Sequence, residues 1–291
     1  MHKCWFFAVM LGCCSSVWAQ HSSVYRVCKA TDCFYLGGTV HILPDSQYPL
    51  PDPFIDAYQQ SDTVILEAPL PAPEDEAAQR QLLTAMQYPA GQTLSQHLSP
   101  AIQTQLDHAL RRYGLQLANF DQFRAGFVAT QLILLETQRT GLKGIGVDAY
   151  FESRARREQK HLAYLETLEF QLQLLATLAD GRESEFIEIA LAELANTAPE
   201  LRKLLAAWRS GNLAQIERDV LLPTASQDPR SYQRLFVQRN QQWLPKLQAL
   251  FGNDSTELVL VGTGHLAGDQ GIIAMLRAQG VIVTQQETSN D

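Results

Sequence analysis

Two short motifs of similar composition stand near opposite ends of the chain. Gly38-Thr39-Val40-His41 follows the apolar run Phe34–Leu36, and Gly262-Thr263-Gly264-His265 follows Leu258–Val261. In each, a strand-like run is stopped by glycine and an imidazole is displayed just beyond it. Two such histidines converging on one site, joined by a carboxylate, form a ligand set for a divalent metal with one position open. Neutral imidazole and carboxylate oxygen suit an ion of the zinc, manganese or iron type, which lowers the pKa of a bound water. Glu67 closes the run Thr63–Leu66, and is placed to join His41 and His265 as a metal ligand or to activate water. Glu166, after His161–Leu165, is a candidate general base; it equally complements the positive N-terminus of the helix that follows. Without a metal, a histidine–glutamate pair could still activate water or a nucleophile. The chain has neither a G-x-S-x-G elbow nor H-E-x-x-H.

These side chains need strands that end together. Open α/β sheets bind ligands outside the carboxyl ends of their strands, so an α/β fold with a partly parallel central sheet is expected. Glu257–Val283 reads as strand, turn, helix, strand. Asp269 is the expected N-cap, Ile272, Ile273, Met275 and Leu276 the apolar positions, and Gly280 the residue past the C-cap. Gly262 and Gly264 are expected to permit a sharp turn. A second βαβ-like unit runs from Phe34 to Glu67, with a helix at Phe54–Gln60 behind Pro53. The strands Phe34–Leu36 and Leu258–Val261 should then be close neighbours.

Between these units the chain is mostly helical, an insertion spanning about residues 72–251 after a solvated linker at Pro69–Glu76. Helices are expected at Glu74–Gln87, Ser99–Tyr113, Asp121–Gln138, Asp148–Glu158, Thr167–Ala179, Glu183–Asn196, Pro199–Ser210 and Arg230–Phe251. The spacing of Phe123, Phe127, Val128, Leu132 and Leu135 marks a packing face. Arg154, Arg156, Arg157 and Lys160 read as a solvated face, and His21, His97, His108 and His161 as surface or packing residues. Gly262 to Ala267 formally matches the dinucleotide pattern G-x-G-x-x-A, but the helix begins only after a further turn.

Composition bounds the partners. The net charge is −8 with no basic stripe, which argues against nucleic acid. Residues 1–19 carry His2-Lys3, an apolar run at Trp5–Leu11 and a small-residue site at Val17-Trp18-Ala19, the pattern of an export leader. A mature, periplasmic or secreted chain from Gln20 is expected, without a stable membrane span. Lipid anchoring at Cys13 is the lesser alternative. Cys28 and Cys33 then remain, flanking the turn Lys29–Asp32, where a disulfide would staple a hairpin.

Several stretches together resemble the TraB/GumN family: GGTVHIL, VILEAPL, GVDAYFESRA, YLETLEFQLQLL, the pair RN before a helix, and VGTGHLAGDQGIIAMLRAQG. That family is similar to Tiki-type metalloproteases and, more distantly, to erythromycin-esterase-like and haem-binding ChaN-like proteins. The resemblance implies a sheet of two related α/β halves with a helical insertion. It also implies a central site of His41, Glu67 and His265, with Asp148, Glu166 and Arg239 as further candidates. The function expected is a metal-dependent hydrolase, peptidase-like, acting on a peptide or small molecule. The alternative is a non-catalytic protein that binds haem or another small ligand in the same cleft. Strand-end carboxylates favour the polar cleft that hydrolysis needs over the broad apolar pocket that haem needs.

Overall fold

Leucine and valine alternate along residues 258–261, so Leu258 and Leu260 face one side of a strand and Val259 and Val261 the other. All four are at most 1% exposed, the burial of a strand covered on both faces. The computed structural model describes residues 21–69 and 75–287; the expected leader, Cys13 and part of the proline-rich linker lie outside them. Six strands form one sheet: β1 His21–Lys29, β2 Asp32–Thr39, β3 Thr63–Leu66, β4 His161–Tyr164, β5 Glu257–Gly262 and β6 Ile282–Glu287. Their order is β4-β3-β5-β2-β1-β6. β2, β5, β3 and β4 run parallel, while β1 is antiparallel to both β2 and β6.

The expected meeting of the two ends of the chain is present, with Tyr35 opposite Leu258 and Leu36 opposite Val259. β5 lies between β2 and β3, so the early βαβ-like unit is closed by a strand from the end of the chain. β6 does not pair with β5. It reaches past β2 and β1 to the sheet edge, where Val27 pairs with Val283. Across the β1–β2 hairpin, Cys28 pairs with Cys33 and the two are bridged, their Cα atoms 4.2 Å apart. Ala30 takes a left-handed conformation in the turn, with φ 55°.

Helices cover both faces. Phe54, Phe151 and Trp208 pack on the side of Leu258 and Leu260. Trp243, Leu247, Ile272 and Leu276 pack on the side of Val259 and Val261. A separate core, with Leu106, Val128, Leu132 and Ile187 at its centre, holds the helical region together. Most expected helices are found within a few residues of their expected ends, among them Ala125–Arg139, Val147–Arg157 and Leu168–Ala176. Among the described residues no helix is long and apolar enough to cross a membrane.

The helix expected over Arg230–Phe251 is present over residues 229–248, continuous through a π-helical stretch at Gln233–Val237. Two expectations are corrected. The final helix is capped at Gly271, not Asp269, because Gly271 N–H still bonds back to the Gly268 carbonyl and holds Asp269 inside the turn. The basic cluster is not simply solvated. Arg154 pairs with Glu158 and Arg156 with Glu152, while Lys160 donates to the carbonyls of Tyr58 and Ser61.

Candidate functional site

Because β2, β3, β4 and β5 are parallel, their carboxyl ends share one edge of the sheet, where His41, Glu67, Glu166 and His265 emerge. Gly262 has a structural reason to be glycine. Its N–H donates to Glu67 Oε1 at 2.6 Å, and a Cβ there would sit 3.3 Å from that oxygen. The expected turn at Gly262 and Gly264 is a 3-10 turn over Thr263–His265 directly after the strand, and the left-handed glycine of this segment is Gly268, with φ +75°.

Arg239, from the helix Gln238–Gln248, occupies the middle of this cluster. Its Nε and Nη2 hold Glu166 in a fork at 2.9 and 2.8 Å, and Nη2 also reaches Glu67 Oε2 at 2.5 Å. Nη1 lies 3.1 Å from His265 Nε2 and donates to the Leu235 carbonyl at 3.3 Å. All five guanidinium hydrogens are therefore engaged. Trp243 Nε1 donates to Glu166 at 2.9 Å, and Gln171 bridges the two glutamates at 3.3 Å each.

The network also assigns the His265 tautomer. Asn240 Nδ2 donates to the carbonyls of His265 and Gln270, so its Oδ1 accepts from His265 Nδ1 at 2.6 Å. Nε2 then carries a lone pair toward Arg239. Packed between Trp243 and Phe236, His265 is pushed by burial down to about 3 and stays neutral. For Glu67, burial favours the neutral form. The surrounding His265, Arg239 and His41, with the Gly262 N–H, outweigh burial and hold the carboxyl down at about 2. Since His265 is neutral, the guanidinium is the main source of that effect.

His41 has a different environment. Its Nδ1 lies 3.1 Å from Asp148 Oδ1, and its side chain is 69% exposed. The Asp148 charge and hydrogen bond raise its pKa above the ordinary value of 6.5, although water at this exposed ring screens part of the effect. Gly146 makes the pairing possible. Val147 N–H bonds to the Val40 carbonyl at 3.0 Å, and a Cβ on Gly146 would lie within 2.7 Å of three His41 backbone atoms. Only glycine lets the helix start this close, and Asp148 follows two residues later.

His41, Glu67, Asp148, Arg239 and His265 line one cavity of about 530 Å³. Its floor is the polar strand ends, and its walls are mostly apolar, including Leu174, Leu204, Leu235 and Phe236. Thr263 also lines it, but its hydroxyl is buried toward Gly38 and has no hydrogen-bond partner among the described residues. Of the three expected ligands, two have their lone pairs engaged: both Glu67 oxygens accept hydrogen bonds, and His265 Nε2 faces a guanidinium. Among the described residues no group of three or more His, Cys, Asp or Glu is arranged to hold a metal ion. As placed, these residues do not fit a ready-made metal site.

Five of the six residues singled out in the sequence line this cavity. Glu166 sits beneath it on Arg239, and the helix after it is capped by the Thr167 side chain. Sequence reasoning missed Asn240, Trp243, Gln171, Gly146 and Thr263. Asn240 stands beside Arg239 in the pair RN, and Gly146 opens the segment holding Asp148, so adjacency was the signal available for both. Of the remaining histidines, His21 and His161 are exposed, while His97 stacks on Tyr88.

Residues 23–285 match the model of the TraB/PrgY/gumN family. The chain belongs to that family. Relatives within reach of TraB/PrgY/gumN members such as this one include YbaP of Escherichia coli (strain K12), itself an uncharacterized protein. It is 26% identical over 246 residues, covering 84% of this chain and 88% of YbaP. YbaP of Shigella flexneri, also uncharacterized, is 26% identical over 245 residues, covering 84% and 87%. Comparison with solved structures found no match.

Proposed function

We propose that this TraB/PrgY/gumN protein is a hydrolase that cleaves a peptide or ester bond next to an apolar group, with His41 as general base. The observation that carries the reading is the His41–Asp148 pair at 3.1 Å beside an apolar cavity. A carboxylate on Nδ1 fixes the tautomer with the lone pair on Nε2, as in acid–histidine pairs that activate nucleophiles. In this scheme Nε2 takes a proton from water as the water oxygen bonds to the carbonyl carbon. The bond to the leaving group then breaks, and the imidazolium returns the proton to it. The expected metal enters no step, because its ligands do not fit as arranged.

The apolar walls favour a second reading, a carrier of haem or another small apolar ligand with His41 at its rim. A cavity of 530 Å³ lies within the roughly 300–1,000 Å³ of small-molecule sites. An exported location is part of the proposal; it rests on the leader-like residues 1–19 and is supported by the Cys28–Cys33 bridge. The test is a peptide and ester screen of the mature chain with haem titration, repeated on His41→Ala. Hydrolysis lost in the variant supports the enzyme. Haem uptake without hydrolysis replaces it with the carrier.

A further inference from the structure

Glu67, Glu166 and His265 all turn toward the guanidinium of Arg239. The two carboxylate side chains are only 13% and 5% exposed, and the arginine 8%. Two buried anions in so dry a place require a cation, since an uncompensated buried charge is strongly destabilising. Divalent metals are a common way to supply one, and carboxylates with an imidazole are ordinary donors to them. Here the cation is a side chain. Its Nη2 meets Glu67 at 2.5 Å and Glu166 at 2.8 Å, and its Nη1 lies 3.1 Å from His265 Nε2, so one guanidinium serves donors of the kind a metal would use.

We infer that Arg239 stands in for a metal ion, so that the buried site is built to be complete without one. An entering divalent cation would have to displace a buried guanidinium that has all five hydrogens bonded, and would leave that charge with no partner. Asn240 and Trp243 support the arrangement from the same helix by orienting His265 and Glu166. The inference rests on this geometry, not on the chain being a hydrolase. It carries a consequence: with the guanidinium gone, two carboxylates and an imidazole lose their shared partner, and small shifts of these side chains should let the chain acquire a metal site it did not have.

Metal content after equilibrium dialysis against zinc, then manganese, reads this without any substrate. Wild-type mature chain should retain neither. Arg239→Ala should retain about one ion per chain, with melting temperature rising on zinc addition, and Arg239→Ala with Glu67→Gln should lose both effects. Arg239→Lys keeps a cation in place and should bind none. Should Arg239→Ala fail to fold, the wild-type measurement decides alone. About one zinc or manganese per wild-type chain, abolished by His265→Ala, overturns the inference; so does a folded Arg239→Ala that binds no metal. Loss or retention of hydrolysis bears only on the proposed function.

Discussion

His265 and Glu67 tie the site to pH through stability. Burial pushes His265 down to about 3 from 6.5, so below pH 6.5 the unfolded chain binds a proton that the folded chain does not. Its contribution is therefore complete above about 6.5 and lost as pH falls toward 3. Glu67, held at about 2 against an ordinary 4.5, adds a second loss as pH drops through that lower window. The urea midpoint should thus decline from pH 7 to pH 5, and His265→Gln should flatten that part of the curve. A midpoint equally pH-dependent in wild type and variant would place the linkage elsewhere. The residue types were legible in the sequence: His41, Glu67, Glu166 and His265 were singled out from their positions at strand ends. Their contacts were not: Arg239 entered only through the family resemblance, far along the chain from Glu67, and Asn240 carries no signal apart from its neighbour. Which lone pairs are free depends on such contacts.

Among the elements, the strands were read well and their order was not. Each βαβ-like unit looks self-contained in sequence, yet β5 enters between β2 and β3 and β6 leaves for the far edge. Local apolar pattern fixes that a strand exists, while neighbours are chosen by packing over long range. The π-helical stretch Gln233–Val237 was equally hidden, since it shares the apolar spacing of an ordinary helix. It matters because Leu235 and Phe236 line the cavity just before Arg239, and π-turns often mark functional sites. The element most exposed to a single change is the start of Val147–Arg157. Gly146→Ala places a Cβ 2.5 Å from the His41 carbonyl oxygen, so His41 or the helix must move. Stability should fall by about 1–3 kcal/mol, and activity should fall further than stability explains. Wild-type turnover by a folded Gly146→Ala would contradict the pairing it is said to permit.

At the scale of the whole molecule, a sheet built from both ends of the chain carries the site, and the helical region supplies walls for the cavity. The hairpin that begins the sheet is closed by Cys28–Cys33. Replacing both cysteines by serine should cost about 2 kcal/mol, the scale for so short a loop, without changing kcat, because the bridge lies at the hairpin turn and the site at strand ends across the sheet. The polar cleft expected from sequence is a polar floor under apolar walls, which shifts the substrate toward one with an apolar group. The general-base role of His41 is tested most directly by the pH dependence of kcat/KM in wild type and Asp148→Asn. A base works deprotonated, so wild-type activity should rise with pH along a limb displaced above 6.5, the direction Asp148 imposes on His41. Asp148→Asn should lower the plateau about 100-fold and bring the limb back toward 6.5. An unchanged limb and plateau in Asp148→Asn would contradict the assignment of His41 as the base.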